Sequence, residues 1–69
     1  SRGDNRKAYR LAKKSNDMKR TPRAAEVMTK AACRDGDVGK AKAALKQIRL
    51  LDRAAIRKNC RQHGTRIGL

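Results

Sequence analysis

Cys60 and His63 stand three residues apart, close enough for a thiolate and an imidazole to share one metal ion, and Cys33 is a third donor of suitable type. A structural zinc site takes four nitrogen or sulfur ligands. This chain offers three, so no metal is assigned. Cys33 falls near the end of a helical segment, where it reads as a small buried hydrophobe. Two cysteines do not make a disulfide-dense secreted scaffold, so a Cys33–Cys60 bridge is not expected and a reducing compartment is the default.

The acids are Asp4, Asp17, Glu26, Asp35, Asp37 and Asp52. Asp35 and Asp37 flank Gly36, where a helix end and the next helix start both want carboxylates, so capping accounts for them. No pair of carboxylates, no Ser-His-Asp set and no glycine loop that could cradle phosphate is present. The chain reads as a non-enzyme with no cofactor and no small-molecule substrate. Arg2-Gly3-Asp4 matches an integrin-binding tripeptide, but three-residue matches arise by chance and nothing else in the chain supports it.

The remaining chemistry is cationic. Twenty Lys and Arg against six Asp and Glu give a formal charge of +14, and the isoelectric point is near 11.2. Charge of that size destabilises a compact free state and draws the chain towards anions. Solubility alone needs far less. The anion is nucleic acid, an anionic membrane or an acidic protein, and nucleic acid is the reading taken. No apolar stretch approaches a membrane span, and the N-terminus lacks a signal core. The chain starts on Ser1, as a processed or trimmed product would.

The elements that carry these cations are helical. Ser1 to Asn5 reads as a ragged start. From about Arg6 to Lys14, Ala8, Leu11, Ala12 and Ser15 share one side, while Arg6, Arg10, Lys13 and Lys14 serve the other. Ser15, Asn16 and Asp17 then weaken the helix. Thr21-Pro22 is a helix start, a cap followed by a residue without an N–H. The second helix runs from Pro22 to about Arg34 with Ala24, Val27, Met28 and Ala31 inward, and Gly36 closes it.

Asp37 then caps a long helix from Val38, with Ala41, Ala44, Leu45, Ile48, Leu51 and Ala55 on one face. On that wheel Lys42, Lys46, Arg49, Arg53 and Arg57 fall within about 80° of one another. An oily stripe beside a cationic one implies a helix partner and an anion. Solvated faces usually interleave Glu with Lys, and none interrupts Val38 to Leu51. Lys58 to Leu69, with Lys58, Arg61 and Arg66, reads as a basic extended tail that a partner orders. The expected core is Ala24, Val27, Met28, Ala31, Leu45, Ile48 and Leu51, in one all-α domain of two or three helices over 1–69.

A single aromatic, Tyr9, argues against modules that stack bases and for recognition of backbone and shape. The hairpin offers little of the Asn, Gln or Ser that a DNA-reading helix presents to bases. DNA-binding of the nucleoid type nevertheless stays open, as does a cationic membrane-active peptide, although an apolar face made mostly of Ala is poor for that role.

Arg20-Thr21, the Ala-containing helix through Ala31-Ala32, Gly36-Asp37, Leu51-Asp52-Arg53-Ala54-Ala55, and then Ile56, Lys58 and Asn59 form a recognisable order. From about Lys19 to Leu69 it resembles the bacterial-type small-subunit ribosomal protein S-twenty family. The resemblance implies a three-helix bundle on small-subunit ribosomal RNA, with neighbouring ribosomal proteins as further partners. The location it implies is a bacterial cytoplasm, a mitochondrion or a plastid. Pro22 interrupts a helix that the family keeps continuous, which fits a divergent, organellar member. Met28 to Ile48, through Ala31-Ala32-Cys33, Gly36-Asp37 and Ala41, also resembles a single pentatricopeptide repeat, a helical RNA-binding hairpin. Such repeats need neighbours, and no second copy is present.

Overall fold

Thr21 leaves its backbone extended and its hydroxyl accepts from the Ala24 N–H at 3.2 Å, while Pro22 occupies the first helical position. That start signal separates the first two of four helices in the computed structural model, which describes residues 2–67. They are α1 (Arg2–Met18), α2 (Pro22–Asp35), α3 (Val38–Leu45) and α4 (Leu50–Gln62), with no strand among the described residues. The fold is all-α.

Helix α2 is central and is packed by α1, α3 and α4. Its buried side is wide and made of small residues, Ala24, Ala25, Ala31 and Ala32, with Met28, Thr29 and Cys33. Alanines let neighbouring backbones approach closely. They also fill little volume, so the core is shallow: Ala25, Ala32, Cys33, Ala41, Leu45, Ile48, Ile56, Cys60 and Ile67, with Tyr9 packed against them. The Cα envelope is 29 × 29 × 15 Å. An accessible surface of 4893 Å² exceeds the value of about 4300 Å² expected for a compact chain of this mass. The molecule is a thin slab with both broad sides near water.

The ends of α2 and α4 are built alike. Gly36 takes φ +76°, with its N–H on the Cys33 carbonyl at 3.1 Å and the Asp37 N–H on Ala32 at 2.9 Å. Gly64 takes φ +80°, with its N–H on Arg61 at 2.9 Å and the Thr65 N–H on Cys60 at 3.0 Å. Both are Schellman closures, whose left-handed residue suits glycine. Asp37 then starts α3 by accepting from the Lys40 N–H at 3.0 Å.

Several expectations are corrected here. Helix α1 begins earlier and ends later than the Arg6–Lys14 segment, running on through Ser15, Asn16 and Asp17. Asn16 is buried there: its amide donates to Gln47 at 2.8 Å and its carbonyl accepts from the Thr21 N–H at 3.1 Å. These bonds tie the end of α1 to the N-cap of α2 and to the turn after α3.

The long helix from Val38 does not exist. It breaks at Lys46–Arg49 into α3 and α4, which makes four helices where two or three were expected. A continuous helix from Val38 to Gln62 would measure about 37 Å against about 21 Å for α2, longer than any dimension of the slab. The break re-phases the chain, so Ile56 and Cys60 point inward while Leu51 is 93% exposed. Val27 is 42% exposed at the edge of the α1 contact. Leu51 and Val27 therefore leave the expected core, and Ile56, Cys60 and Ile67 join it.

The bridge that was not expected is present: Cys33 and Cys60 form a disulfide, both fully buried. It joins the last turn of α2 to the last turn of α4. Thr65 donates its hydroxyl to the Cys33 carbonyl at 2.6 Å, and Ile67 is buried beside it. Lys58 to Gln62 are the final turns of α4, and 65–67 fold back onto the core instead of extending. Residues 68 and 69, the rest of the expected tail, lie outside the described residues.

Candidate nucleic-acid interface

On α1 the face turned away from α2 carries Lys7, Arg10 and Lys14, all exposed, within about 60° of arc. Arg6 and Lys13 flank them. Arg6 reaches Asp35 on α2 at 3.4 Å, and Lys13 pairs with Asp17 at 3.1 Å one turn on. Both cations remain more than half exposed, so these pairs are weak and can open towards a stronger anion. The expected α1 cations are therefore together on one outward surface, with Lys7 added.

The expected stripe on the third helix is not assembled as read. Lys42, Lys46 and Arg49 are exposed, but Arg49 lies beyond the end of α3 in extended backbone as the N-cap of α4. Arg53 is half-buried, donating from Nε to the Ile48 carbonyl at 2.8 Å and from a terminal nitrogen to Lys46 at 3.0 Å. It satisfies carbonyls that the break releases, a structural task, and its guanidinium is engaged. Arg57 is half-buried. On α4, Lys58 and Arg61 share an outward surface, and Arg66 is exposed after it.

Sequence reasoning missed a third cationic row. Arg23 and Arg34, both exposed, and Lys30, half-buried, lie along the side of α2 that borders the open edge of the α1 contact, with Val27 among them. Their spacing at i, i+7 and i+11 is a helical period. The period is present in the sequence, but Glu26 and Val27 fall among these cations and blur the row. Lys40 is held by Asp37 at 4.0 Å and stands 5.0 Å from the Tyr9 ring centroid.

The rows face different directions. Helix α1 meets α2 at Asp35, through Arg6, and α4 meets it at Cys33. Asp35 and Cys33 are about 200° apart around α2, so α1 and α4 flank it on nearly opposite sides. The cysteine sulfurs are bonded to each other and so do not form thiolate ligands with His63. Among the described residues no group of three or more His, Cys, Asp or Glu could hold a metal. No helix is long and apolar enough to cross a membrane.

This arrangement defines a small, disulfide-stapled all-α protein with cationic rows on several sides. Comparison with family models, curated proteins and solved structures finds no match.

Proposed function

We propose that this protein binds the phosphate backbone of folded RNA as a structural component of a ribonucleoprotein, the small ribosomal subunit being the assembly that the sequence resemblance suggests. One observation carries the reading. The outward sides of α1 and α4 display Lys and Arg with no acid between Lys7 and Lys14 or between Lys58 and Arg61, and on α2 Arg23, Lys30 and Arg34 outnumber Glu26, while Asp17, Asp35 and Asp37 stand beside cations of the chain itself. Cations fixed along rigid helices match rows of phosphates and release condensed counterions on binding. Arginine adds forked hydrogen bonds to phosphate oxygens. With Tyr9 packed against the core, no exposed ring is offered to bases, so shape and charge do the recognising.

The test is a titration of the full chain against folded ribosomal RNA and duplex DNA at several salt concentrations. Folded RNA should win in direct competition. Lys46→Gln with Arg49→Gln, both exposed, should lower the salt slope by about 1.5. Equal affinity for both nucleic acids together with an unchanged slope would refute the proposal.

A second reading draws on the disulfide. Such bonds persist in oxidising compartments, and Leu50 and Leu51 are 76% and 93% exposed beside cationic surfaces. A stapled cationic protein of this kind could act on an anionic membrane surface. Leakage of phosphatidylglycerol vesicles at concentrations where RNA does not bind would favour it.

A further inference from the structure

Helices α1 and α2 pack closely at their alanines but diverge at the surface, leaving an open cleft of about 460 Å³. Its floor and walls are Ala8, Leu11 and Ala12 from α1, with Arg23, Ala24 and Val27 from α2. Leu11 is 59% exposed and Val27 42% exposed, so two branched aliphatic side chains line it while remaining half open to water. The alanines leave depth between them. Both rims are cationic. On α1, Lys7 and Lys14 lie within about 60° of Leu11 on the side away from α2. On α2, Arg23, Lys30 and Arg34 lie within about 60° of Val27, and Glu26, half-buried, is about 100° from Val27 on the side away from the cleft. Asp4 is the acid nearest this side of α1, and it belongs to the N-terminal end beyond Ala8. Asp17 is on the far side of α1, paired with Lys13.

We propose that this cleft is a docking groove for an acidic amphipathic helix, a partner distinct from the RNA. An aliphatic strip between two positive rims complements a helix with apolar anchors flanked by Glu or Asp. From Ala8 to Ser15 the groove runs about 10 Å, two turns of a partner, which suits anchors at i, i+3 or i+4, and i+7. A second copy of this chain is excluded as occupant by charge, since each copy carries +14. A nucleic-acid strand would set charged phosphates against Leu11 and Val27, and although Ser15, Thr21 and Arg23 also line the cleft, it holds no aromatic ring on which a base could stack.

The experiment uses the full chain and two fluorescent peptides of about 14 residues with identical Leu, Glu and Ala content. One segregates Leu and Glu on opposite helix faces, and the other is scrambled so that no apolar face forms. Anisotropy at physiological salt should show the segregated peptide binding at least about tenfold more tightly. Leu11→Ser with Val27→Ser should erase that ratio, whereas Leu50→Ser with Leu51→Ser, removing a larger exposed apolar area elsewhere, should preserve it. Equal binding of both peptides to the unaltered chain overturns the proposal whatever the variants do. So does a ratio lost in the Leu50/Leu51 variant instead. If the Leu11/Val27 variant lost affinity for phosphatidylglycerol vesicles and kept the peptide ratio, the groove would be a lipid site and the proposal would fail. RNA affinity unchanged in that variant separates this outcome from the RNA reading.

Discussion

Reduction of the Cys33–Cys60 disulfide should cost this protein much of its stability. The bond spans 27 residues of sequence, and closing a loop of that length removes about 12 cal/mol/K from the unfolded chain, about 3.5 kcal/mol at 25 °C. A chain of this size carries on the order of 3.5–10 kcal/mol in total. Self-repulsion at +14 and a core in which alanine is the commonest residue both argue for the lower half of that range. The loss should therefore lower the melting temperature by about 15–25 °C, or leave no folded state at 37 °C. The assay is thermal unfolding followed by far-ultraviolet circular dichroism, with and without a phosphine reductant, and with the Cys33→Ala/Cys60→Ala variant beside it. Thiol titration of the oxidised protein should find no free thiol before denaturation or after it. A melting temperature that falls by less than about 5 °C would show that helix packing alone holds α4 on α2, and the entropic reasoning would be wrong.

Gly64→Ala should destabilise by about 1–2 kcal/mol, because its φ of +80° is left-handed and a Cβ there is strained. Urea unfolding would register this as a lower midpoint at constant slope, and a loss of less than a few tenths would mean that Thr65 and Ile67 do not depend on the turn. Arg53→Met should cost about 1–3 kcal/mol by leaving the Ile48 and Lys46 carbonyls without their donor. In the same variant the RNA salt slope should stay within about 0.3 of the original, whereas a fall of a full unit would return Arg53 to the binding surface.

Helix α2 was readable in the chain because each of its boundaries is chemically marked, by Thr21-Pro22 at one end and Gly36-Asp37 at the other. The α3–α4 break carries no such mark. Lys46, Gln47, Ile48 and Arg49 include neither Gly nor Pro, and the periodicity of apolar residues runs through them undisturbed. What breaks the helix is tertiary: Ile56 and Cys60 reach the core only if the chain turns, and Arg53 supplies the donors that the turn requires. The same blindness applies to the disulfide, since a separation of 27 residues says nothing about proximity until the turn is known. Gly64 was present as a signal, but the polar residues around it hid a fold-back held by one hydroxyl and one isoleucine. For the candidate interface, the α1 cations were readable from helical spacing alone. The stripe through Arg53 was not, because a wheel drawn on an unbroken helix assigned an outward direction to a residue that caps a turn.

The directions of the cationic rows decide between kinds of anion. Because α1 and α4 flank α2 on opposite sides, a flat partner such as a membrane or one side of a straight duplex can engage one row well and must leave the other in solvent. A folded RNA with a pocket can engage both. Arg10→Gln with Lys14→Gln on α1, and Lys58→Gln with Arg61→Gln on α4, change exposed residues and leave the packing alone. On an enclosing RNA each pair should lower the salt slope by about 1.5, and the four together by about 3. On a flat anion one pair should act and the other should be silent. A silent pair with folded RNA as the ligand would mean that the RNA touches one side only. The thin slab with charge on opposite edges would then be a property of the fold and not a means of being enclosed.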